Sequence, residues 1–296
     1  MKYLSVLDTS KKWGISERSV RDYCSKGRVI GAILIGKTWN IPDSAEKPTR
    51  LPRHSSKINN LLQVLKEEKE NKINGGIYHK IQIEMTYNSN QIEGSQLSHD
   101  QTSAIFETKT LLANEKVINV DDVIETTNHF RCVDLVIDSA KSRLTESLIK
   151  QLHYILKVNT NNSNQKFIRI GDYKLLENEV GGRSTARVCD VQKEMKKLLE
   201  WYHSLDEVRI EDIIEFHYRF ESIHPFQDGN GRVGRLIMFK ECLKHNYVPI
   251  IIKDEFKAFY YRGLKEWNND SKYLIDTCLL GQDIMKEILD NFSIKY

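Results

Sequence analysis

The sequence has no long hydrophobic run, and this absence excludes one large class of proteins. No stretch of the 296 residues comes near the ~18 consecutive apolar residues that predict a membrane-spanning helix. The start, Met1-Lys2-Tyr3, opens no apolar secretion signal. We therefore expect a cytoplasmic protein that has no membrane partner.

Cysteine is too sparse to build a disulfide framework. The five cysteines, at positions 24, 132, 189, 242 and 278, form no Cys-x-x-Cys pair, and their number is odd. Disulfide-rich and zinc-binding domains are typically recognised by paired cysteines at short spacing. We expect reduced thiols in the hydrophobic core, with no disulfide and no metal site.

Proline is rare, and its distribution marks a domain boundary. Three of the five prolines, at positions 42, 48 and 52, fall within an otherwise polar stretch, which is typical of a linker. Residues 1–53 hold eleven Lys and Arg against five Asp and Glu, a charge of +6, which leaves −3 for the remainder of a chain whose net charge is +3. We predict a basic domain over residues 1–43, a linker over residues 44–56 and a second domain over residues 57–296.

The basic N-terminal domain has the pattern of two short helices followed by a hairpin. Two serines are placed to cap the helices, and the alternating segment 33–42 turns around a Gly-Lys pair. The segment resembles the excisionase- or MerR-like helix-turn-helix. This resemblance implies DNA as a partner, with Arg18 and Arg21 on the reading helix and Lys37 near the phosphate backbone. A protein-docking or dimerisation module stays an open alternative.

Helical periodicity dominates the second domain. Apolar residues at i, i+3, i+4 spacing predict helices over residues 123–140, 146–158, 191–203, 210–222, 231–245 and 273–292, and a further charged helix from residue 58. A polar loop over residues 159–166 and a hairpin turning at Gly181-Gly182 interrupt this pattern. We predict a mainly α fold, a helical bundle with a β-hairpin flap, preceded by a small winged helix-turn-helix domain.

One short segment carries most of the chemistry. Residues 224–235 read His-Pro-Phe-Gln-Asp-Gly-Asn-Gly-Arg-Val-Gly-Arg and lead directly into an apolar helical pattern. Glycine lets a backbone approach a ligand closely, and free amides at a helix start bind anions. An imidazole, a carboxylate and two guanidinium groups add a base, a metal ligand and phosphate contacts. These residue types predict phosphate chemistry, whereas a polar surface loop, or a zinc site through His217, His224 and Asp228, fits the pattern less well.

This segment resembles the signature of Fic-domain enzymes, with every fixed position filled. The resemblance implies a helical domain that transfers AMP from ATP to a protein hydroxyl and releases pyrophosphate. It implies that His224 is the general base and that Asp228 is the ligand of a Mg²⁺ ion that bridges two phosphates. Phosphate contacts are implied for Gly229, Asn230, Gly231, Arg232 and Arg235.

A second motif, which runs from Ser89 to Glu93-Gly94, resembles the inhibitory motif of the same family. The resemblance implies that an N-terminal inhibitory helix around residues 85–94 brings Glu93 to Arg235. The carboxylate would then compete with the γ-phosphate of ATP for one guanidinium group, and the protein would be autoinhibited.

Two further similarities concern the surroundings of the nucleotide. Tyr260-Tyr261 and Asn268 resemble adenine-side contacts, and Tyr261 and Asn268 are the candidates for that role. Residues 171–187 lie where the family has a hairpin flap, which would hold a target segment by main-chain pairing, and Val180 is a candidate flap residue.

The sequence therefore predicts an autoinhibited protein adenylyltransferase that acts on a Tyr, Ser or Thr hydroxyl of a target protein or of itself. ATP would be the substrate and Mg²⁺ the cofactor. Two alternatives stay open: an enzyme that removes AMP, with Glu93 orienting a water, and a DNA-binding regulator whose Fic-like domain is sensory. A homodimer is compatible with the sequence.

Overall fold

The fold is described from a computed structural model. The structure describes residues 3–25, 27–35, 38–48, 61–111, 117–180 and 183–296. For residues 18, 19, 22, 180 and 183 it describes the backbone alone. The predicted linker over residues 44–56 therefore lies largely outside the described residues, and the predicted domain boundaries stay predictions.

The N-terminal segment forms two helices and a small antiparallel sheet. Its elements are β1 (Tyr3–Leu4), α1 (Val6–Trp13), α2 (Glu17–Ser25), β2 (Ile33–Ile35) and β3 (Thr38–Pro42). Ser5 caps α1 by accepting a hydrogen bond from the backbone N–H of Asp8, and Gly14 ends the helix at φ 63°. The sheet has the order β1-β3-β2, with Leu34 opposite Trp39.

A small hydrophobic core holds this segment together. Val20 and Cys24 of α2 are buried together with Trp13 and Ile41. Of the three predicted DNA contacts, Lys37 and the side chain of Arg18 lie outside the described residues. Arg21 is exposed and forms an ion pair with Glu17 at 2.6 Å. The winged helix-turn-helix assignment and the DNA contacts therefore stay predictions.

The rest of the described chain is a helical bundle with one hairpin. Its helices are α3 (Leu61–Glu70), α4 (Ile77–Ile92), α5 (His99–Thr108), α6 (Val120–Ser139), α7 (Glu146–Lys157), α8 (Val191–His203), α9 (Ile210–Ile223), α10 (Asn230–Lys244), α11 (Lys257–Glu266) and α12 (Lys272–Asn291). The hairpin pairs β4 (Glu179–Val180) with β5 (Arg183–Ser184). The six helices predicted from periodicity over residues 123–292 are confirmed, with ends that differ by at most three residues. The start predicted at residue 58 lies outside the described residues, and α5 and α11 were not predicted.

The missed helix α5 has a local signal that explains its position. Ser98 accepts a hydrogen bond from the backbone N–H of Gln101, and the side chain of Gln101 accepts one from the backbone N–H of Ser98. This reciprocal capping box starts a helix although the apolar periodicity after it is weak.

Helix α10, which carries the second half of the motif, lies at the centre of the bundle. All fourteen residues from Asn230 to Leu243 are buried, and the helix packs against α4, α6, α7 and α9. A helix that is buried on every face cannot shift without moving its neighbours. The bundle therefore fixes the position of the motif.

The cysteine prediction was right for four residues and wrong for one. Cys24, Cys132, Cys242 and Cys278 are buried and unpaired. Cys189 is exposed, because it lies in the turn between the hairpin and α8 rather than on an apolar helix face. None of the helices in the described ranges combines the length and the apolar character needed to cross a membrane.

We predict that Phe239→Ala lowers the free energy of unfolding by about 3–5 kcal/mol, because it leaves a cavity at the centre of the bundle. Phe239 of α10 is fully buried. The matched control is Phe259→Ala on α11, whose side chain is 57% exposed, and it should cost less than about 1 kcal/mol. Urea unfolding of the two variants measures the difference, and equal losses would contradict the central position of α10.

Candidate active site

The motif loop begins where α9 ends, at His224. The backbone of His224 adopts the left-handed conformation (φ 51°, ψ 62°), and its N–H donates to the carbonyl of Phe220 at 2.9 Å. This conformation is unfavourable for a residue with a side chain, so the surrounding structure must hold it. The turn ends the helix and places His224 at the start of the loop.

Two contacts fix the loop between α9 and α10. The ring of Phe226 is fully buried and stacks on the imidazole of His153, with 3.9 Å between ring centroids. Asn230 accepts a hydrogen bond from the N–H of Phe226 at 2.8 Å and donates one to its carbonyl at 2.9 Å. The side chain of Asn230, which was predicted to contact phosphate, here fixes the loop through its two hydrogen bonds to the backbone of Phe226.

The start of α10 has the form of an anion site. Gly229 precedes the helix at φ 81°, and the first bond of the helix joins the N–H of Val233 to the carbonyl of Gly229. The amides in the first turn have no acceptor within the helix, which is the arrangement that binds phosphate. A Cβ atom at Gly231 would collide with the carboxylate of Glu93, so Glu93 lies against the first turn of α10.

Glu93 reaches the site from the C-terminal end of α4 and pairs with Arg235. Glu93 Oε1 lies 2.8 Å from Arg235 Nη2, and Arg235 also donates to the hydroxyl and the carbonyl of Ser89, at 3.0 and 2.9 Å. Burial raises the pKa of Glu93, but the charges of Arg235 and Arg232 outweigh this effect, and the pKa is lowered. Glu93 is therefore an ionised partner of Arg235, while its inhibitory role stays a prediction.

Asp228 and Arg232 belong to a second group of charges, which also contains Lys157 and Glu125. Asp228 accepts hydrogen bonds from Lys157 at 2.6 Å, from Asn162 at 2.8 Å and from the N–H of Gly229 at 2.6 Å. Glu125 pairs through one oxygen with Lys157 and through the other with Arg232. Burial raises the pKa of Asp228, but Lys157 and Arg232 outweigh it and bring the pKa to about 2.

Glu125, Lys157 and Asn162 are site residues that the sequence analysis missed. Lys157 and Glu125 lie 71 and 107 positions from their partners in the motif, and no short pattern surrounds them. The one available signal is that Lys157 is the last residue of an amphipathic helix, where lysine is common in any case.

His224 is a neutral imidazole at neutral pH. Burial and the nearby charge of Lys174 lower its pKa to about 4. Lys174 belongs to the segment that leads into the hairpin, and its ammonium group donates to Asn178 and Thr185, at 2.6 Å each. A neutral imidazole can accept a proton from a hydroxyl group without first losing one.

The hairpin is anchored to the motif loop. The N–H of Lys174 donates to the carbonyl of Pro225 at 2.8 Å, and the N–H of Leu176 donates to the side chain of Gln227 at 3.2 Å. In the hairpin, Glu179 lies opposite Ser184 and Val180 opposite Arg183. The turn at residues 181 and 182 and the side chain of Val180 lie outside the described residues.

The adenine-side candidates occupy three different environments. Tyr260 is buried, donates to or accepts from His217 at 2.8 Å, and lies 3.5 Å from Arg235. Tyr261 is exposed, and its hydroxyl donates to the carbonyl of Ile92, at the end of α4. Asn268 is exposed and accepts from Tyr218 at 3.2 Å. Tyr261 therefore contacts the predicted inhibitory helix.

The donor set around Asp228 suits a magnesium ion better than zinc. Mg²⁺ is commonly held by one or two carboxylates, with water and phosphate oxygens as its other ligands. The side chain of Asp228 is 43% exposed and is the one carboxylate in the motif of residues 224–235. The ring of His217 forms a hydrogen bond with Tyr260, and no group of three zinc-type ligands occurs among the described residues.

Comparison with known proteins agrees with this geometry. Residues 143–242, from α7 to the motif helix α10, match the model of the Fic/DOC family. The chain is 27% identical over 187 residues to "Protein adenylyltransferase Fic" of Nematostella vectensis, and the match covers 62% of this chain and 42% of that protein. The protein of the same name from Aedes aegypti is 24% identical over 189 residues, which cover 63% and 37% of the two chains. The chain thus spans less than half the length of these relatives.

Solved structures extend the similarity beyond the motif region. A Fic domain containing signaling protein from Bacteroides thetaiotaomicron is 27% identical, with a TM-score of 0.60 over 76% of this chain and 93% of that chain. Fic-1 from C. elegans, at 18% identity, has a TM-score of 0.62 over 78% and 72% of the two chains, which speaks for the fold alone. The helical part of this chain therefore has the fold of Fic-domain proteins.

We predict that the protein loses stability as the pH falls below about 6.5. His129, His153 and His217 are fully buried, and burial lowers their pKa values to about 3, 4 and 3. The unfolded chain therefore takes up protons that the folded chain does not, while Glu221, whose pKa burial raises to about 8, acts in the opposite sense. His224, whose pKa is also lowered to about 4, contributes in the same sense, so the net effect of about three protons is a loss of roughly 3–4 kcal/mol for each pH unit between pH 6 and 5.

Urea unfolding at a series of pH values measures this slope. In His129→Gln the slope should be smaller by about 1.4 kcal/mol per pH unit, because one proton is removed from the balance. A free energy of unfolding that stays constant from pH 6.5 to 5 would contradict the prediction.

Proposed function

We propose that this protein transfers AMP from ATP to the hydroxyl group of a protein side chain, and that Glu93 restrains the reaction. The observation that carries the proposal is the joint placement of His224, the helix start at Gly229 and the Glu93–Arg235 pair around one loop. Names of the relatives support the activity, and the geometry supports the restraint. The acceptor is a Tyr, Ser or Thr hydroxyl of a target protein or of the chain itself.

In the proposed reaction His224 takes the proton of the acceptor hydroxyl. The hydroxyl oxygen forms a bond to the α-phosphorus of ATP, the bond from that phosphorus to the β-phosphate oxygen breaks, and pyrophosphate leaves. A hydroxyl is a weak nucleophile at neutral pH, so a half-buried, neutral imidazole at the loop supplies the base that it needs.

Phosphoryl-type transfer depends mainly on alignment and on the stabilisation of charge on oxygen. The amides at the start of α10 and the guanidinium groups of Arg232 and Arg235 would supply this stabilisation from fixed positions. Asp228 would hold Mg²⁺, which when bound neutralises phosphate charge. Because the hydrogen bonds of Asn230 and the stacking of Phe226 on His153 fix the loop, the loop needs little rearrangement when ATP binds.

Glu93 would restrain this reaction by charge and by position. Its carboxylate occupies the guanidinium fork of Arg235 and lies over Gly231, where the terminal phosphates would approach. A carboxylate and a phosphate compete for one fork, because both are anions and each needs the same donors. ATP bound beside Glu93 would therefore be held out of line for attack.

The two alternative functions make different use of the same residues. An enzyme that removes AMP would need the Glu93 carboxylate to orient water, so loss of Glu93 would abolish its activity. A DNA-binding regulator with a sensory domain would depend on the basic N-terminal segment and would keep its DNA affinity without His224. Neither alternative is favoured by a contact as specific as the Glu93–Arg235 pair.

We predict that Glu93→Gly raises self-labelling with [α-³²P]ATP and Mg²⁺ by at least about tenfold, because it frees the Arg235 fork, an interaction of the order of 1.5–3 kcal/mol. Labelling should disappear in Glu93→Gly combined with His224→Ala. Glu93→Gln is the matched variant, since it keeps the shape but not the charge, and it should also be activated.

Gel autoradiography of the four proteins measures these effects. Equal labelling of wild type and Glu93→Gly would contradict the proposed restraint by Glu93. No label in any protein, together with loss of an AMP-removing activity in Glu93→Gly, would favour the alternative enzyme.

We also predict that Tyr261→Phe raises the labelling rate about two- to tenfold, since one hydrogen bond contributes about 0.5–1.5 kcal/mol. The lost bond joins the hydroxyl of Tyr261 to the carbonyl of Ile92 and holds the end of α4. Tyr273→Phe, at another exposed tyrosine, is the control. A lower rate in Tyr261→Phe would indicate that the hydroxyl serves ATP rather than the restraint.

A further inference from the structure

One of the charged groups that contact Asp228 is a cation of the protein itself, the ammonium group of Lys157. The side chain of Lys157 is only 3% exposed, and its ammonium group lies 2.6 Å from Asp228 Oδ2. Lysine is rarely buried without a reason, because burial of its charge is costly unless anions surround it. Here two carboxylates, Asp228 and Glu125, surround it.

The carboxylate of Asp228 has little acceptor capacity left. A carboxylate offers about four acceptor positions. Oδ2 accepts from Lys157 and from Asn162, and Oδ1 accepts from the N–H of Gly229. A metal ion at Asp228 therefore either takes the remaining position, next to a buried positive charge, or displaces Lys157.

Glu125 sets how strongly Lys157 opposes a second cation. One oxygen of Glu125 contacts Lys157 and the other contacts Arg232, so one carboxylate partly neutralises two cations. Arg232 lies 3.8 Å from Asp228 Oδ1, which closes a ring of two cations and two anions. In such a ring, removal of one charge changes the balance at every other member.

We propose that Lys157 is a positioning residue that competes with Mg²⁺ for Asp228, and that Glu125 sets the strength of this competition. The inference rests on the proposed function, since it assigns Mg²⁺ and ATP to this site. Lys157 and Glu125, which lie outside the motif, thus control the Mg²⁺ concentration that ATP binding requires. Lys157 holds the Asp228 carboxylate in place when the ion is absent and gives up that contact when the ion binds.

The test is the Mg²⁺ dependence of ATP binding in the full chain. The parent protein carries Glu93→Gly with His224→Ala, so that Arg235 is free and ATP is not consumed. Equilibrium dialysis with [α-³²P]ATP at increasing Mg²⁺ gives the Mg²⁺ concentration at half-maximal binding. The ions form the same complex with ATP in solution in every experiment, so differences between variants report the protein.

Lys157→Gln should lower the half-maximal Mg²⁺ concentration by about fivefold to tenfold, since it removes one charge-assisted contact to Asp228. Glu125→Gln should raise that concentration, because it leaves Lys157 and Arg232 without their shared anion. Damage to the fold would move both variants in the same direction, whereas competition moves them in opposite directions. Lys150→Gln is the control, on the same helix but paired with Glu146 and Asp172.

The variant Asp228→Asn distinguishes a failure of the Lys157 inference from a failure of the proposed function. If it raises the Mg²⁺ requirement while Lys157→Gln leaves the requirement unchanged, Lys157 does not compete and this inference fails alone. A shift of Lys157→Gln and Glu125→Gln in the same direction overturns it as well. If no variant binds ATP at any Mg²⁺ concentration, the proposed function fails and the inference with it.

Discussion

The structure around the motif depends on one constraint, the need to neutralise two guanidinium groups buried in the central helix. Arg232 and Arg235 are 5% and 2% exposed, and a buried charge is tolerated only when an opposite charge or several acceptors accompany it. Arg235 meets this need with Glu93 and Ser89, and Arg232 meets it with Glu125. The C-terminal end of α4 and the N-terminal part of α6 are thus tied to α10 by charge as well as by apolar packing.

The same constraint explains why the site is poised for anions. Each anion that neutralises a motif arginine occupies a place that a phosphate group could take. Glu93 does so at the fork of Arg235, and it reaches that fork from a helix whose last carbonyl is held by Tyr261. In the proposed function, restraint by Glu93 and binding of phosphate are two uses of the same Arg235 donors, and movement of the end of α4 would exchange one use for the other.

Much of the fold could be predicted from sequence because its signals are local. Apolar spacing predicted α6 to α10 and α12, and Ser5 and Gly14 marked the ends of α1. The helix α11 was missed because two of its aromatic residues, Phe259 and Tyr261, are exposed beside the buried Tyr260, which obscures the apolar spacing. Cys189 was placed in the core although its segment has no apolar face. The pairing of Glu93 with Arg235 followed from family resemblance, not from spacing along the chain.

The sequence by itself determined which chemical groups the loop carries, in which order, and the turn at Gly229 that starts α10. These features depend on bonds between residues a few positions apart. Only the tertiary structure decided that Tyr261 contacts α4 and that Lys157 and Glu125 join Asp228 and Arg232 in one group of charges. Lys157 lies 71 positions from Asp228, so their contact exists only because the packing of α7 against α10 brings their ends together.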